Sequence, residues 1–365
     1  MLGFLEVLRF DKKFMTKKLK IGIAGYGIVG KRRRTCIDNH PQLEVVAVCD
    51  QSFECHGSFS DGVRYYSTYQ QLLTEKLDAL IVCMTNDINP DATVAALERR
   101  IHVFCEKPPG RKLEDLVRIM NVENEVKDTC LMYGFNHRYH ESIRDAIEIV
   151  KSKNLGCIIN LRGVYGKSKV VTFNQSDWRT KRSVAGGGVL LDQGIHMVDL
   201  MRLFSGEFIE VKSFINNSHW NYDVEDNAYA LMRTADGVVA MLHSSATQWK
   251  HCFNLHITLE RGALSLGGIL TGSKSYGDET LTVTTVDQFG DIRDSKETIT
   301  SYNDDRSWEL EINAFADCVL HGKPAEHGSS KDAFNTMKLV YQIYYADPLW
   351  RDQFNISNPC AYTND

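Results

Sequence analysis

Three side chains in this sequence have the chemistry of proton transfer. Asp192 and His196 stand four residues apart in the segment GGGVLLDQGIHMVD (186–199), where a glycine run passes into a helical pattern with Leu190, Leu191, Ile195, Val198 and Leu200 as apolar positions. On a helix that spacing puts both on one face. The carboxylate can then orient the imidazole and stabilise its cation, an arrangement suited to a general base near neutral pH. The plainer reading is a helix-start aspartate that satisfies a buried histidine; Asp199, one turn on, reads as structural. The third side chain, Lys107, follows the apolar run IHVFC (101–105) and Glu106, and precedes Pro108 and Pro109, which restrict the backbone behind it. Beside a cationic ring a lysine has its pKa depressed, and it can then orient a hydroxyl or exchange a proton with it.

These residues need a scaffold, and the first half of the chain supplies one. Leu19 to Ala24 is a short apolar run leading into Gly25-Tyr26-Gly27-Ile28-Val29-Gly30, after which Lys31 to Asn39 continues as a helix up to Pro41. A second apolar run, Leu43 to Cys49, ends on Asp50, about 20 residues beyond the last glycine. Strand, glycine turn, helix, strand and acid together make the pattern of a dinucleotide site. Gly25 permits the tight turn, Gly27 the approach of a pyrophosphate, and Gly30 the close packing of helix on strand. The pyrophosphate meets the free N–H groups at the helix start, with Ile28 and Val29 beside it. Asp50 accepts hydrogen bonds from ribose hydroxyls and repels a 2′-phosphate, and the neighbouring Gln51 brings no compensating cation. The cofactor therefore reads as NAD rather than NADP.

The alternation runs on through a helix near Tyr69 to Leu73, a buried strand Ala79 to Met84 and a helix Pro90 to Arg100. A strand Ile101 to Cys105, a helix Leu113 to Lys127 and a strand Cys130 to Gly134 follow. The series predicts an α/β Rossmann domain, a doubly wound parallel sheet with its ligands beyond the carboxyl ends of the strands. Thr85, Asn86, Glu106, Lys107 and Asn136 fall at such ends and are expected to face one crevice with the cofactor.

The combination of GYGIVG (25–30), EKP (106–108) and GGGVLLDQGIH (186–196) resembles the Gfo/Idh/MocA family of oxidoreductases, over nearly the whole chain from Lys20 to Asp347. The resemblance implies hydride transfer between the nicotinamide of NAD(H) and a CH–OH carbon of a sugar or nucleotide-linked sugar. It makes His196 the acid/base, gives Lys107 the hydroxyl proton to assist, and turns Asp192 towards both substrate and His196. It also implies that Arg138, Tyr165, Trp178 and Arg179 contact substrate. Two positions depart from the family's pattern: Thr85 and Asn89 stand where proline and histidine are usual. An inositol-like polyol is the alternative substrate. A non-catalytic dinucleotide-binding sensor is the alternative of another class, and the presence of both Lys107 and His196 counts against it.

The second half fits the family's α+β C-terminal domain with a large open, mostly antiparallel sheet. The runs Ile158 to Tyr165, Glu210 to Phe214, Ala228 to Met232, Val238 to His243 and Asn254 to Thr258 suit its strands, and Asp236-Gly237 suits a hairpin turn. Glu309 to Leu320 and Ala333 to Tyr345 read as late helices, the second packing back on the cofactor domain. The expected division is an extension 1–14, an NAD-binding domain 15–139 and a substrate-binding and assembly domain 140–365. In the family that the chain resembles the free face of this sheet builds dimers or tetramers, so the resemblance implies a homodimer or homotetramer.

At 365 residues, 43% of them hydrophobic, the chain can bury more than one core, and a prior of roughly 150 residues per domain suggests two. A net charge of −5 without a dense basic block argues against a nucleic-acid or membrane partner; the run Lys31 to Arg34 is expected to decorate a solvated helix. The ten cysteines are scattered singly, with no CxxC pair and no cluster at zinc spacing. They read as buried free thiols in a cytoplasmic, reducing compartment, with no metal. Met1 to Phe14 is interrupted by Glu6, Arg9, Asp11, Lys12 and Lys13 and lacks the apolar core of a signal peptide.

Overall fold

In the computed structural model, which describes residues 18–171, 177–286 and 295–362, the apolar runs form two sheets. The extension expected over residues 1–14 lies outside the described residues.

The first sheet comprises β1 (Leu19–Ala24), β2 (Leu43–Cys49), β3 (Gly57–Ser58), β4 (Arg64–Tyr66), β5 (Ala79–Val82), β6 (His102–Glu106) and β7 (Leu131–Gly134). Its order is β3-β4-β2-β1-β5-β6-β7, parallel apart from the short β3–β4 pair. Crossovers are made by α1 (Ile28–Asn39), α2 (Tyr69–Leu72), α3 (Asn89–Leu97) and α4 (Leu113–Val126). Helices on both faces explain why β5, Ala-Leu-Ile-Val, is buried at every position and shows no alternation. The chain winds outward from β1 to β2 and β4, then restarts on the other side of β1 at β5. A crevice opens at that reversal, beyond the carboxyl ends of the strands.

Beyond α5 (Glu141–Ser152) comes the second sheet, with β8 (Ile158–Gly166), β9 (Phe208–Asn216), β10 (Asn227–Thr234), β11 (Val239–Ser245), β12 (Cys252–Leu259), β13 (Gly262–Gly267), β14 (Glu279–Thr285) and β15 (Lys296–Tyr302). The order is β15-β14-β13-β12-β8-β11-β10-β9, antiparallel except for the β8–β11 pair. In β10 the residues Ala228, Ala230 and Met232 are buried while Tyr229 and Leu231 face out, the period of a one-sided strand. The Asp236-Gly237 turn joins β10 to β11: Gly237 has φ +89° and its N–H donates to Thr234 O at 3.1 Å. Strands β13, β14 and β15 are not anticipated by the sequence reading. Between β8 and β9 the chain carries α6 (Arg182–Ala185), a π-helical turn (Leu190–Gly194) and α7 (Ile195–Ser205).

Two late helices, α8 (Ser307–His321) and α9 (Ser330–Ala346), return to the first sheet. Phe315 of α8 meets Phe104 of β6 edge-on, with ring centroids 5.6 Å apart. Just before α9, Gly328 O accepts from Tyr133 N of β7 at 2.7 Å, and within α9 Ile343 O accepts from the Ser213 hydroxyl of β9 at 2.6 Å. Both sheets are thus pinned to the same helix.

The run Lys31 to Arg34 is not a solvated decoration throughout. Arg33 is fully buried, with Nε 2.7 Å from Glu106 Oε1, Nη2 2.6 Å from Glu311 Oε2, and its guanidinium 4.2 Å from the Trp308 ring. A charge survives in the interior when it is paired on more than one side. Glu311 lies 278 residues away in the chain, so no local pattern announces it. The ten cysteines are free, with Cys55, Cys157 and Cys360 exposed rather than buried.

Candidate active site

The glycine turn is delivered to the crevice by β1. At Gly25, φ is +91° and a Cβ would lie 2.3 Å from Cys83 O; at Gly30 it would lie 2.0 Å from Gly25 O. Both positions require glycine. A Cβ on Gly27 would meet nothing within 4 Å, so space is open in front of the first N–H groups of α1, which lack intrahelical acceptors. A phosphate-bearing ligand fits such a cradle. Asp50, at the end of β2, accepts from Tyr26 N on Oδ2 (2.8 Å) and from Ser52 N and Oγ on Oδ1 (3.0 and 2.7 Å). These bonds fix a carboxylate that still has acceptor capacity for ribose hydroxyls.

The crevice has a volume of about 880 Å³, and its lining includes Gly25, Gly27, Ile28, Val29, Asp50 and Gln51. Thr85, Asn86, Glu106, Lys107 and Asn136 line it as well. Thr85 Oγ1 donates to Asp87 Oδ1 (2.5 Å), while Asn86 Nδ2 reaches Ala185 O (2.8 Å) and so ties the end of β5 to α6. Asn89, the second departure from the family's pattern, accepts from Met84 N at 3.0 Å. The cradle, the anchored Asp50 and the continuous cavity together fit a dinucleotide.

A second group of lining residues gathers around Asp192. Lys107 Nζ donates to the backbone carbonyl of Asp192 at 2.5 Å. The Asp192 carboxylate accepts from Lys167 Nζ on Oδ2 (2.8 Å) and from Arg179 Nε on Oδ1 (3.1 Å). Burial alone would raise the pKa of Asp192, but the attraction of Lys167, Arg179 and Lys107 outweighs it and holds the carboxylate ionised, well below its usual range. Burial lowers the pKa of Lys107; Asp192 and Glu106 oppose this, and Arg179 and Lys167 add to it. Lys107 therefore gives up a proton more readily than a surface lysine.

Asp192 does not orient His196. Among the described residues His196 Nδ1 is buried without a hydrogen-bond partner, and the ring lies flat on His137 instead, with centroids 3.7 Å apart. The expectation fails because both oxygens of the Asp192 carboxylate are taken by Lys167 and Arg179, at a π-helical turn (Leu190–Gly194) rather than on a regular α-helix. His137 Nε2 is 3.0 Å from the Tyr165 hydroxyl and Nδ1 is 3.3 Å from Asn136 Oδ1. Burial, reinforced by Lys107 and His140, pushes the pKa of His196 well below its usual 6.5. Burial acts in the same direction on His137, reinforced by His196, His140 and Lys107. Both rings are neutral at pH 7, and His196, in the crevice lining, is in the form that accepts a proton.

Two expected substrate contacts do not line the crevice. Arg138 is buried in a fork with Asp199, Nε and Nη2 each 2.7 Å from a carboxylate oxygen, and Nη1 is 2.9 Å from Asp332 Oδ2. Tyr165 is buried behind His137. Trp178 and Arg179 do line it, with the guanidinium 4.4 Å from the indole ring. The sequence reading misses Lys167 and the part played by His137. Lys167 follows the end of β8 directly, as Lys107 follows β6, and that position is the signal that could have found it.

Among the described residues no helix is long and apolar enough to cross a membrane, and no group of three or more His, Cys, Asp or Glu side chains is placed to hold a metal ion.

Residues 19–135 match the family described as "Oxidoreductase family, NAD-binding Rossmann fold", and residues 143–265 match the "GFO/IDH/MocA C-terminal domain". The chain is 24% identical over 257 residues to an inositol 2-dehydrogenase of Salmonella typhimurium, a match covering 68% of this chain and 74% of that one. It is 28% identical over 269 residues to a D-glucoside 3-dehydrogenase of Escherichia coli, covering 64% and 72%. Its fold is similar to that of levoglucosan dehydrogenase in complex with NADH, with a TM-score of 0.79 at 17% identity over 92% of this chain and 98% of that one. The two matched segments contain the glycine turn, Lys107 and the Asp192 to His196 stretch, and on them the chain belongs to the Gfo/Idh/MocA family of NAD-binding oxidoreductases.

Proposed function

We propose that this oxidoreductase interconverts a CH–OH carbon and its carbonyl on a sugar-like, polyhydroxylated substrate, with Lys107 and His196 handling the hydroxyl proton. The observation that carries this reading is the presence of Lys107, Asp192 and His196 in the same crevice as the glycine turn and Asp50. NAD(H) bound there supplies the hydride chemistry. The chain supplies position and a proton route. Gly25, Gly27 and the first N–H groups of α1, beside Ile28 and Val29, hold the pyrophosphate, with Gly30 letting the helix approach. Asp50 and Gln51 meet the adenosine ribose. Thr85, Asn86, Glu106 and Asn136 border the nicotinamide half. Neutral His196 accepts the hydroxyl proton during oxidation, and Lys107 donates a hydrogen bond to the same oxygen. Asp192 anchors Lys107 through its carbonyl and Arg179 through its carboxylate, and Trp178 and Arg179 border the substrate.

Relatives named for an inositol and a glucoside support a cyclic, polyhydroxylated substrate, either a pyranose or a polyol. A sensor that only binds dinucleotide has no need of a lysine with depressed pKa beside a neutral histidine. Mixing the protein with NAD+ and a broad panel of sugars and inositols, and following the absorbance of the reduced cofactor, tests the reading. Turnover supports it; binding of NAD without turnover of any member favours the sensor.

In this reading residues 15–139 bind NAD and residues 140–365 carry the substrate and assembly surfaces. The outer face of the second sheet supports a homodimer or homotetramer: Phe214 faces Tyr229 across β9–β10, Leu231 faces Met241 across β10–β11, and all four are exposed. A contiguous apolar face of this kind is commonly covered by another subunit. Ten free thiols suit a cytoplasmic setting.

A further inference from the structure

Around the group that handles the substrate hydroxyl, positive charge exceeds negative. Lys167 and Arg179 converge on one carboxylate, that of Asp192, and Lys107 sits on the backbone carbonyl of the same residue. The other nearby acid, Glu106, is taken by Arg33, which also binds Glu311. His137 and His196 are neutral and offset nothing. Lys167 is 8% exposed, so bulk water screens this excess poorly.

Arg179 is the cation equipped to meet a ligand. Its guanidinium lies on the Trp178 ring and gives only Nε to Asp192, so its two Nη groups have no hydrogen-bond acceptor among the described residues. Both Trp178 and Arg179 line the crevice. A guanidinium held flat on an indole, with two terminal nitrogens free, offers the paired donors that match two oxygens of a carboxylate or phosphate.

We infer that the substrate is an anionic carbohydrate, whose carboxylate or phosphate group is bound by Arg179 while Lys107 and His196 address the hydroxyl that reacts. The inference rests on the dehydrogenase reading above. A neutral sugar would leave positive charge uncompensated in a half-buried site, and the oxidised nicotinamide ring adds to it when NAD+ is bound. An anionic group offsets that excess in the state that precedes hydride transfer. Lys167, bonded to Asp192, adds to the same field without needing to touch the ligand.

Steady-state oxidation of matched pairs tests this: hexoses against their 6-phosphates, and hexoses against their uronates, with wild type and Arg179→Gln at low and high salt. The expected result is a kcat/KM at least about tenfold higher for the anionic members, an advantage that shrinks with salt, and a higher KM for those members alone in Arg179→Gln. Whether 6-phosphates or uronates lead identifies the anionic group. Equal or better turnover of the neutral members overturns the anionic class and leaves the dehydrogenase reading standing. An anionic preference unchanged in Arg179→Gln overturns the role of Arg179. If NAD binds but no member of any pair is bound or oxidised, the dehydrogenase reading falls and this inference with it.

Discussion

The imidazole of His196 lies face to face with that of His137, ring centroids 3.7 Å apart and planes 11° from parallel. Among the described residues no carboxylate holds His196, because Asp192 is committed to Lys167 and Arg179. Packing therefore sets the ring plane, with Phe135 edge-on at 6.4 Å as a second wall. His137 is itself held through its hydrogen bonds to Tyr165, buried behind the crevice, and to Asn136 in its lining, so the partners of one ring govern the angle of the other.

Removing one wall should loosen the base. His137→Ala is expected to lower kcat about ten- to a hundredfold while NAD affinity stays near that of the wild type. His137→Phe keeps the stack and should recover most of the loss. Kinetics on a proven substrate, beside a fluorescence titration with NADH, separate the two effects; no recovery in His137→Phe would assign the role to the hydrogen bonds instead.

The same burial sets a pH dependence. His196 stays unprotonated to a lower pH than a free imidazole, so the acid limb of kcat/KM for oxidation should fall below pH 6.5. Stability follows in the same direction. As pH drops through 6.5 the unfolded chain takes up protons at His137 and His196 that the folded chain refuses, so stability is full above that value and declines below it. Thermal unfolding at neutral pH and at roughly pH 5.5 reads the difference, which His137→Phe should shrink.

Asp50→Ser removes the ionised acceptor from the end of β2 and leaves Tyr26 N to find another partner. The KM for NAD+ is expected to rise about tenfold, and discrimination against NADP+ to weaken because the repelling charge is gone. Initial rates with each cofactor measure both.

Arg33→Ala leaves Glu106 and Glu311 facing each other without their shared cation. Burial already pushes Glu311 up to about 8, and the loss of Arg33 would drive it further. The cost is expected to be about 3–5 kcal/mol by denaturant unfolding, with partial recovery when Glu311→Gln is added, since an amide is neutral without having to take up a proton beside Glu106.

How far the sequence discloses this molecule depends on how local the physics is. The first sheet is legible because strands buried on both faces read as unbroken apolar runs, and GYGIVG with Asp50 carries its own geometry. The strands β13 to β15 are not: ETLTVTT and KETITSY alternate threonine and serine with few aliphatic residues, and much of β15 is exposed. Residue type and strand-end position single out Lys107, Asp192 and His196. Their partners escape, because Lys167, Arg179, His137 and Glu311 reach theirs through the tertiary fold. Arg138 shows the same limit from the other side, since its fork with Asp199 cannot be read from a motif.

The most direct test of the site is the rate of NAD+ reduction by Lys107→Ala on a substrate that the wild type turns over. The expected result is a loss in kcat of about a hundredfold or more, with NAD affinity and thermal stability close to those of the wild type. Wild-type rates in that variant would contradict the assignment of Lys107 and of the crevice built around it.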